Sequence, residues 1–258
     1  MKKIICAILT LALLVAMSMT AFASEITDTE TGNSQEVLAS FEEGVQDKVI
    51  ISVDIGWNKM TFTYKGASEP VWDASEHRYV GEYVEAHWMN SDATVSVTNH
   101  SNTILKATLS YAPEADYGDI NMLFTDAAPS IGSAYTNAEG TGVPCTVTVK
   151  AILTGALNPE IPDNTRIGTV TVRVEPSADP LTVTEIISDQ FQIYASKNPS
   201  ELRRGDVYFS PDVDVQQLQE LIDTAIGVLC DDTTTTAEQN VAFNAMLVAY
   251  YGALAIVQ

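Results

Sequence analysis

The stretch "PCTVTVKAIL", Pro144–Leu153, alternates residue by residue from Cys145 to Ala151. Cys145, Val147, Val149 and Ala151 fall on one side, and Thr146, Thr148 and Lys150 on the other. A period of two is the geometry of a strand, whose successive side chains point to opposite faces. One face is apolar and the other is hydroxylated or charged, so this strand is expected to bury one side and wet the other. Cys145 then reads as a small core residue.

The same pattern extends outward in both directions. In "IISVDIGW" Ile51, Val53, Ile55 and Trp57 share a side, and in "MTFTY" Met60, Phe62 and Tyr64 do. "ATVSVTN" aligns Ala93, Val95 and Val97, "LKATLSY" aligns Leu105, Ala107, Leu109 and Tyr111, and "GTVTVRV" aligns Val170, Val172 and Val174. Threonine and valine dominate, as strand chemistry favours. Breakers separate the segments at Lys65-Gly66, Asn99 to Asn102, Pro113, Tyr117-Gly118, Gly140 to Pro144 and Asn158 to Asn164. Short alternating strands between such turns predict an antiparallel two-sheet sandwich of about seven to nine strands over residues 48–176.

The motifs "WNKMTFTY", "VW", "VSVTNHSN" and "RIGTVTVRV" together resemble an immunoglobulin-like module of secreted and surface-attached proteins of Gram-positive bacteria, over about residues 49–175. The resemblance implies an immunoglobulin-like β-sandwich serving as a spacer, adhesive unit or carrier, and it implies no active site. No Leu-Pro-x-Thr-Gly sorting motif occurs, which leaves the attachment route open.

Beyond Val174, "EPSADP" breaks the pattern. Residues 177–213 read as a connector in which "LTVTEII", "FQIY" and "DVYF" are expected as short strands. From Asp214 the period becomes helical, with Val215, Leu218, Leu221, Ile222, Ala225, Ile226 and Leu229 at three- and four-residue steps. Thr235 and Glu238 fit a capping box opening a second helix. Residues 214–258 are thus expected as an α-helical hairpin. Its second helix, about 236–257, is apolar nearly all round, more than its neighbour can cover. Phe243, Leu247, Tyr250, Tyr251 and Leu254 are therefore expected to bind a protein partner or a second copy.

At the other end, Lys2-Lys3, the apolar run Ile4–Met17 and Ala21-Phe22-Ala23 read as a signal peptide over residues 1–23. An exported or cell-surface location follows as an expectation, with no transmembrane span in the mature chain. Residues 24–47 read as an acidic flexible arm. Without Lys2 and Lys3 the chain holds eleven basic against 34 acidic residues, a net charge of about −23. That surface repels nucleic acid phosphates and anionic lipid headgroups. In an exported chain Cys145 and Cys230 are allowed to pair, though two cysteines are not a disulfide framework.

Catalytic signatures are missing. His77, His87 and His100 lack the spacing of a zinc pair, and the sequence holds no nucleophile elbow, phosphate-binding glycine loop or dinucleotide fingerprint. "DYGDIN", Asp116–Asn121, only loosely resembles a calcium loop. The expectation is a non-enzymatic protein without metal or cofactor. All three tryptophans lie between Trp57 and Trp88. Trp57 continues the face of Ile51, Val53 and Ile55 and is expected in the core, as is Trp88. Trp72, Tyr79 and Tyr83, with His77 beside them, are expected to face water and form the candidate ligand surface. Two functions are weighed: a structural or adhesive module engaging a protein partner, and a carbohydrate-binding module using the aromatics near Trp72.

Overall fold

The computed structural model describes residues 48–89, 93–158, 161–196 and 207–256. The signal peptide and the acidic arm expected over 1–47 lie outside the described residues. The chain lays down β1 (Val53–Asn58), β2 (Thr63–Lys65), β3 (Val71–Asp73), β4 (Arg78–Val80) and β5 (His87–Met89). Next come β6 (Thr94–Asn99), β7 (Leu105–Pro113), β8 (Asn121–Phe124), β9 (Ser130–Ile131), β10 (Tyr135–Thr136) and β11 (Gly142–Val143). The remainder is β12 (Cys145–Thr154), β13 (Gly168–Pro176), α1 (Pro180–Ser196), β14 (Val207–Phe209), α2 (Val215–Cys230), α3 (Thr236–Ala253) and β15 (Leu254–Ile256). The protein is mainly β, with several sheets and three helices among the described residues, the last two at the C-terminus.

Two antiparallel sheets organise the body. One runs β1-β6-β12-β8 and the other β13-β7-β9. The strand Cys145–Thr154 sits centrally in the first, where Val147 opposes Val97 and Val149 opposes Val95. Its apolar face is buried as expected, together with Val95 and Val97 from β6 and Ala107 and Leu109 from β7. Cys145 is enclosed there, and burial pushes its thiol up to about 11. Cys230 is exposed, and both thiols are free. On the wet face, Ser96 and Thr98 meet Thr148 and Thr146 through hydroxyl contacts of 3.0 and 2.9 Å.

The smaller sheet leaves part of this face uncovered, and the helices supply the rest. One core cluster joins β6, β7, β9 and β12 to Val183, Ile187 and Phe191 of α1, Leu218, Ile222 and Ala225 of α2, and Phe243, Met246 and Leu247 of α3. Residues 48–258 form one compact unit, and the expected sandwich, connector and hairpin all contribute to its larger core cluster, while Trp88, Ala93, Ile120, Met122, Ala151 and Leu153 form a second one.

Four expectations need correction. The described residues of 48–176 carry thirteen strands, not seven to nine, because short pairs and an extended hairpin add to the two main sheets. "LTVTEII" and "FQIY" form the helix α1, not strands. Asp179 accepts the Thr182 amide at 3.0 Å, Pro180 takes the first helical position, and Val183, Ile187 and Phe191 stack at four-residue steps into the core. This burial stripe outweighs the β preference of threonine, valine and isoleucine. The last helix ends at Ala253, because Leu254–Ile256 turns into a strand pairing with Val207–Phe209. Finally, Phe243, Leu247, Tyr250, Tyr251 and Leu254 are 5% exposed or less. They are covered within the chain, by both sheets and two helices, and so present no surface to a partner.

Candidate functional site

The segment after Phe62 leaves the body as one long hairpin. Thr63, Tyr64 and Lys65 pair with Met89, Trp88 and His87. Ser68 then bridges Val84, with amide–carbonyl bonds of 3.0 Å in both directions. Val71, Trp72 and Asp73 pair with Val80, Tyr79 and Arg78. Between Ser68 and Val71 the first strand takes three steps, while the second takes four from Val80 to Val84. The extra residue marks a bulge, and Gly81 beside it has φ 91°, a conformation glycine adopts without strain.

The tip is closed by side chains. The Asp73 carboxylate accepts the Ser75 hydroxyl at 2.6 Å, the Ser75 amide at 2.8 Å and the Glu76 amide at 3.2 Å. These bonds, the Ser75 hydroxyl first, hold its pKa below the usual carboxylate range. His77 follows with φ 51°, which completes the four-residue turn. At the root, Trp88 is buried, meets Tyr64 edge-on at 5.0 Å, and donates its indole N–H to the Gly155 carbonyl at 2.8 Å. An isolated two-stranded hairpin is marginal in water, so this anchor and the closed turn carry the arm.

Every residue from Lys65 to Glu85 is exposed except Asp73 and Val80, which are half-buried. Trp72 is 52% exposed, Tyr79 68% and Tyr83 60%. The expected ligand surface is therefore open to water. Trp72 and Tyr79 come together as a cross-strand pair, ring centroids 5.3 Å apart and planes 70° apart. Tyr83 lies past the bulge, and His77 sits in the tip turn itself. His87 is at the root, its Nδ1 2.8 Å from the Glu85 carbonyl.

Trp57 overturns the expectation of a core position. It lies opposite Val95, and Ile55 lies opposite Val97. Both partners are fully buried, so Trp57 and Ile55 project from the same inner face. Yet Trp57 is 48% exposed, since the second sheet stops at β13 without covering it. The gap is an apolar cleft of about 450 Å³ lined by Trp57, Met60, Phe62, Met122, Leu153 and Val170. Arg166 stands at its rim, with Nε 2.7 Å from the Glu114 carboxylate and Nη2 donating to Thr169 Oγ1 at 2.7 Å. Sequence reading missed this cleft. Alternation identifies which face Trp57 belongs to, but not whether the opposite sheet reaches it.

A second hollow of about 410 Å³ lies between α2 and α3 beside Leu221 and Gly252. "DYGDIN" falls on a 3₁₀ turn, Ala115–Tyr117, and the start of β8, where Asn121 Oδ1 accepts the Met122 amide at 2.9 Å. No helix among the described residues is long and apolar enough to cross a membrane. Comparison with known protein families, curated proteins and solved structures finds no match for this chain.

Proposed function

We propose that this is a secreted or cell-surface, non-enzymatic module whose immunoglobulin-like sandwich body presents the hairpin arm to a protein partner in adhesion or assembly. The observation that carries this reading is the arm itself, a paired extension from Thr63 to Met89 with a Trp72–Tyr79 pair exposed near its tip. Large aromatics held on a two-stranded stalk with half or more of their surface in water are left largely uncovered by their own chain, and they are the residue types that anchor protein interfaces. The arm is also acidic, with Glu69, Asp73, Glu76, Glu82 and Glu85 against Lys65 and Arg78. Charged residues along both strands keep it soluble and limit indiscriminate edge pairing.

The second reading, a carbohydrate-binding module, draws on the same Trp72 and Tyr79. Their near-perpendicular planes offer a sugar one flat ring at a time, which favours the protein partner. Tryptophan emission titrated with a panel of glycans separates the two. No change with any glycan is expected. A saturable quench that disappears in Trp72→Ala establishes the sugar reading instead. Export is tested by N-terminal sequencing of protein from culture medium, where a chain beginning at Ser24 is expected and one beginning at Met1 overturns it.

A further inference from the structure

We infer that the cleft between β1 and β13 is a binding site for an uncharged, largely hydrocarbon small molecule, a single acyl or isoprenoid chain with a neutral head. This site is separate from the arm and does not rest on the reading of the arm as a recognition element. Trp57, Met60 and Phe62 form one side of the cleft, and Tyr111 and Val170 the other. Its floor is Met122 and Leu153, which are themselves buried and belong to the second core cluster. A flat protein surface laid on the rim would leave that floor unfilled, whereas a small molecule reaches it.

Size and wall structure fit such a ligand. The volume of about 450 Å³ falls among small-molecule sites, which span about 300–1,000 Å³. It is about three times the roughly 150 Å³ apolar cavity that takes up one benzene, which leaves room for about eighteen carbon atoms. The wall on the β13 side is preformed. Gly168 has no side chain, so the Tyr111 ring lies across it, and a Cβ there would collide with the ring and its hydroxyl. That hydroxyl donates to the Ile167 carbonyl at 3.0 Å, which fixes the ring in place. Met60 and Met122 add flexible, polarizable side chains that adapt to the outline of an apolar guest.

The chemistry of the rim selects against charge. Arg166 is held by the Glu114 carboxylate at Nε, 2.7 Å, and by Thr169 Oγ1 at Nη2, 2.7 Å. A carboxylate or phosphate head would therefore compete with Glu114, and would approach a chain of net charge −21. A cation would give up its hydration for a wall that holds no carboxylate among the described lining residues. An uncharged hydrocarbon meets neither penalty and gains from every apolar area it removes from water.

The test titrates residues 24–258, the chain left by signal-peptide removal, with N-phenylnaphthylamine, an uncharged aromatic probe whose emission rises in apolar surroundings. Saturable binding of one probe per chain is expected. Val170→Glu, which places a carboxylate in the wall, should weaken it at least about tenfold. Trp72→Ala should leave it unchanged. Circular dichroism and melting check that each variant is folded. If Val170→Glu is not, Trp57→Ser at its half-exposed position takes its place, with the same loss expected. Displacement of the probe then reads the ligand class. Decanol, a linear chain, and farnesol, a branched isoprenoid, are compared with ionised decanoate. Displacement by an alcohol is expected, the one effective at lower concentration naming the chain type, with decanoate at least about tenfold weaker. No saturable binding, binding that survives the wall variant, or binding lost in Trp72→Ala overturns the site. Decanoate as effective as decanol, or displacement by neither alcohol, overturns the assignment of a neutral hydrocarbon chain.

Discussion

Asn99 shows what a single polar residue does in this core. It is fully buried at the end of β6. Its amide donates to the Thr103 carbonyl at 2.9 Å and the Gly132 carbonyl at 2.8 Å, and its oxygen accepts the Ser101 amide at 2.8 Å. It ties the β6–β7 turn to the segment after β9. Asn99→Ala is expected to cost about 1–3 kcal/mol for each group that water cannot reach afterwards, measured by urea unfolding. Asp126 behaves differently. Desolvation raises its pKa, against the Ala128 amide and the Lys106 charge, which act to lower it. Tyr194, Tyr250 and Tyr251 also feel its charge, and burial raises each phenol. Below the ordinary aspartate pKa, folded and unfolded chains both hold the proton and burial of the charge costs nothing. As pH rises through the raised folded value, the folded state must hold a desolvated charge and stability falls. Asp126→Asn removes that charge, so its melting temperature should match wild type near pH 3 and exceed it at pH 7.

At the scale of elements, the arm and the last helix make opposite use of aromatic residues. Trp88 and Trp72 belong to the same hairpin, yet one is 3% exposed and the other 52%. Trp88→Ala is expected to destabilise the protein by about 3–5 kcal/mol, and Trp72→Ala by less than about 1 kcal/mol. Paired denaturation curves read this contrast directly. The helix α3 begins with the expected capping box, in which Thr235 Oγ1 accepts the Glu238 amide at 3.3 Å and Glu238 Oε2 accepts the Thr235 amide at 2.6 Å. Thr235→Ala should cost about 0.5–2 kcal/mol. The helix docks where Gly132 makes room: a Cβ there would collide with the Asn244 side-chain oxygen. Asn244 donates to the Ser133 carbonyl at 2.9 Å, and its Oδ1 is buried without a partner. Gly132→Ala is expected to displace this contact and lower the melting temperature more than an exposed Gly66→Ala does.

For the whole molecule, the shared core has a direct consequence. A chain ending near Pro211 loses Leu218, Ile222, Phe243, Met246, Leu247 and Tyr250 from the cluster that also holds Val95, Val147 and Leu109. It is expected to lose cooperative unfolding and near-ultraviolet dichroism, not to leave a stable sandwich. The alternating periods of β6, β7, β12 and β13, the helical periods of α2 and α3, and the Thr235–Glu238 cap were all legible in the sequence, because each depends on neighbours a few residues apart. So were the exposed positions of Trp72, Tyr79 and Tyr83, which sit among charged and turn-forming residues. Long-range contact decided the rest. Thr, Val and Ile in α1 form a helix because Val183, Ile187 and Phe191 find a core to fill. Phe243, Met246, Leu247 and Tyr250 of α3 are buried because both sheets and two helices meet on that side, while Val241 and Val248 on the other side stay exposed. Trp57 stays open to water because the sheet opposite stops short. Periodicity names the face a side chain belongs to, but only the packed chain determines whether anything covers that face.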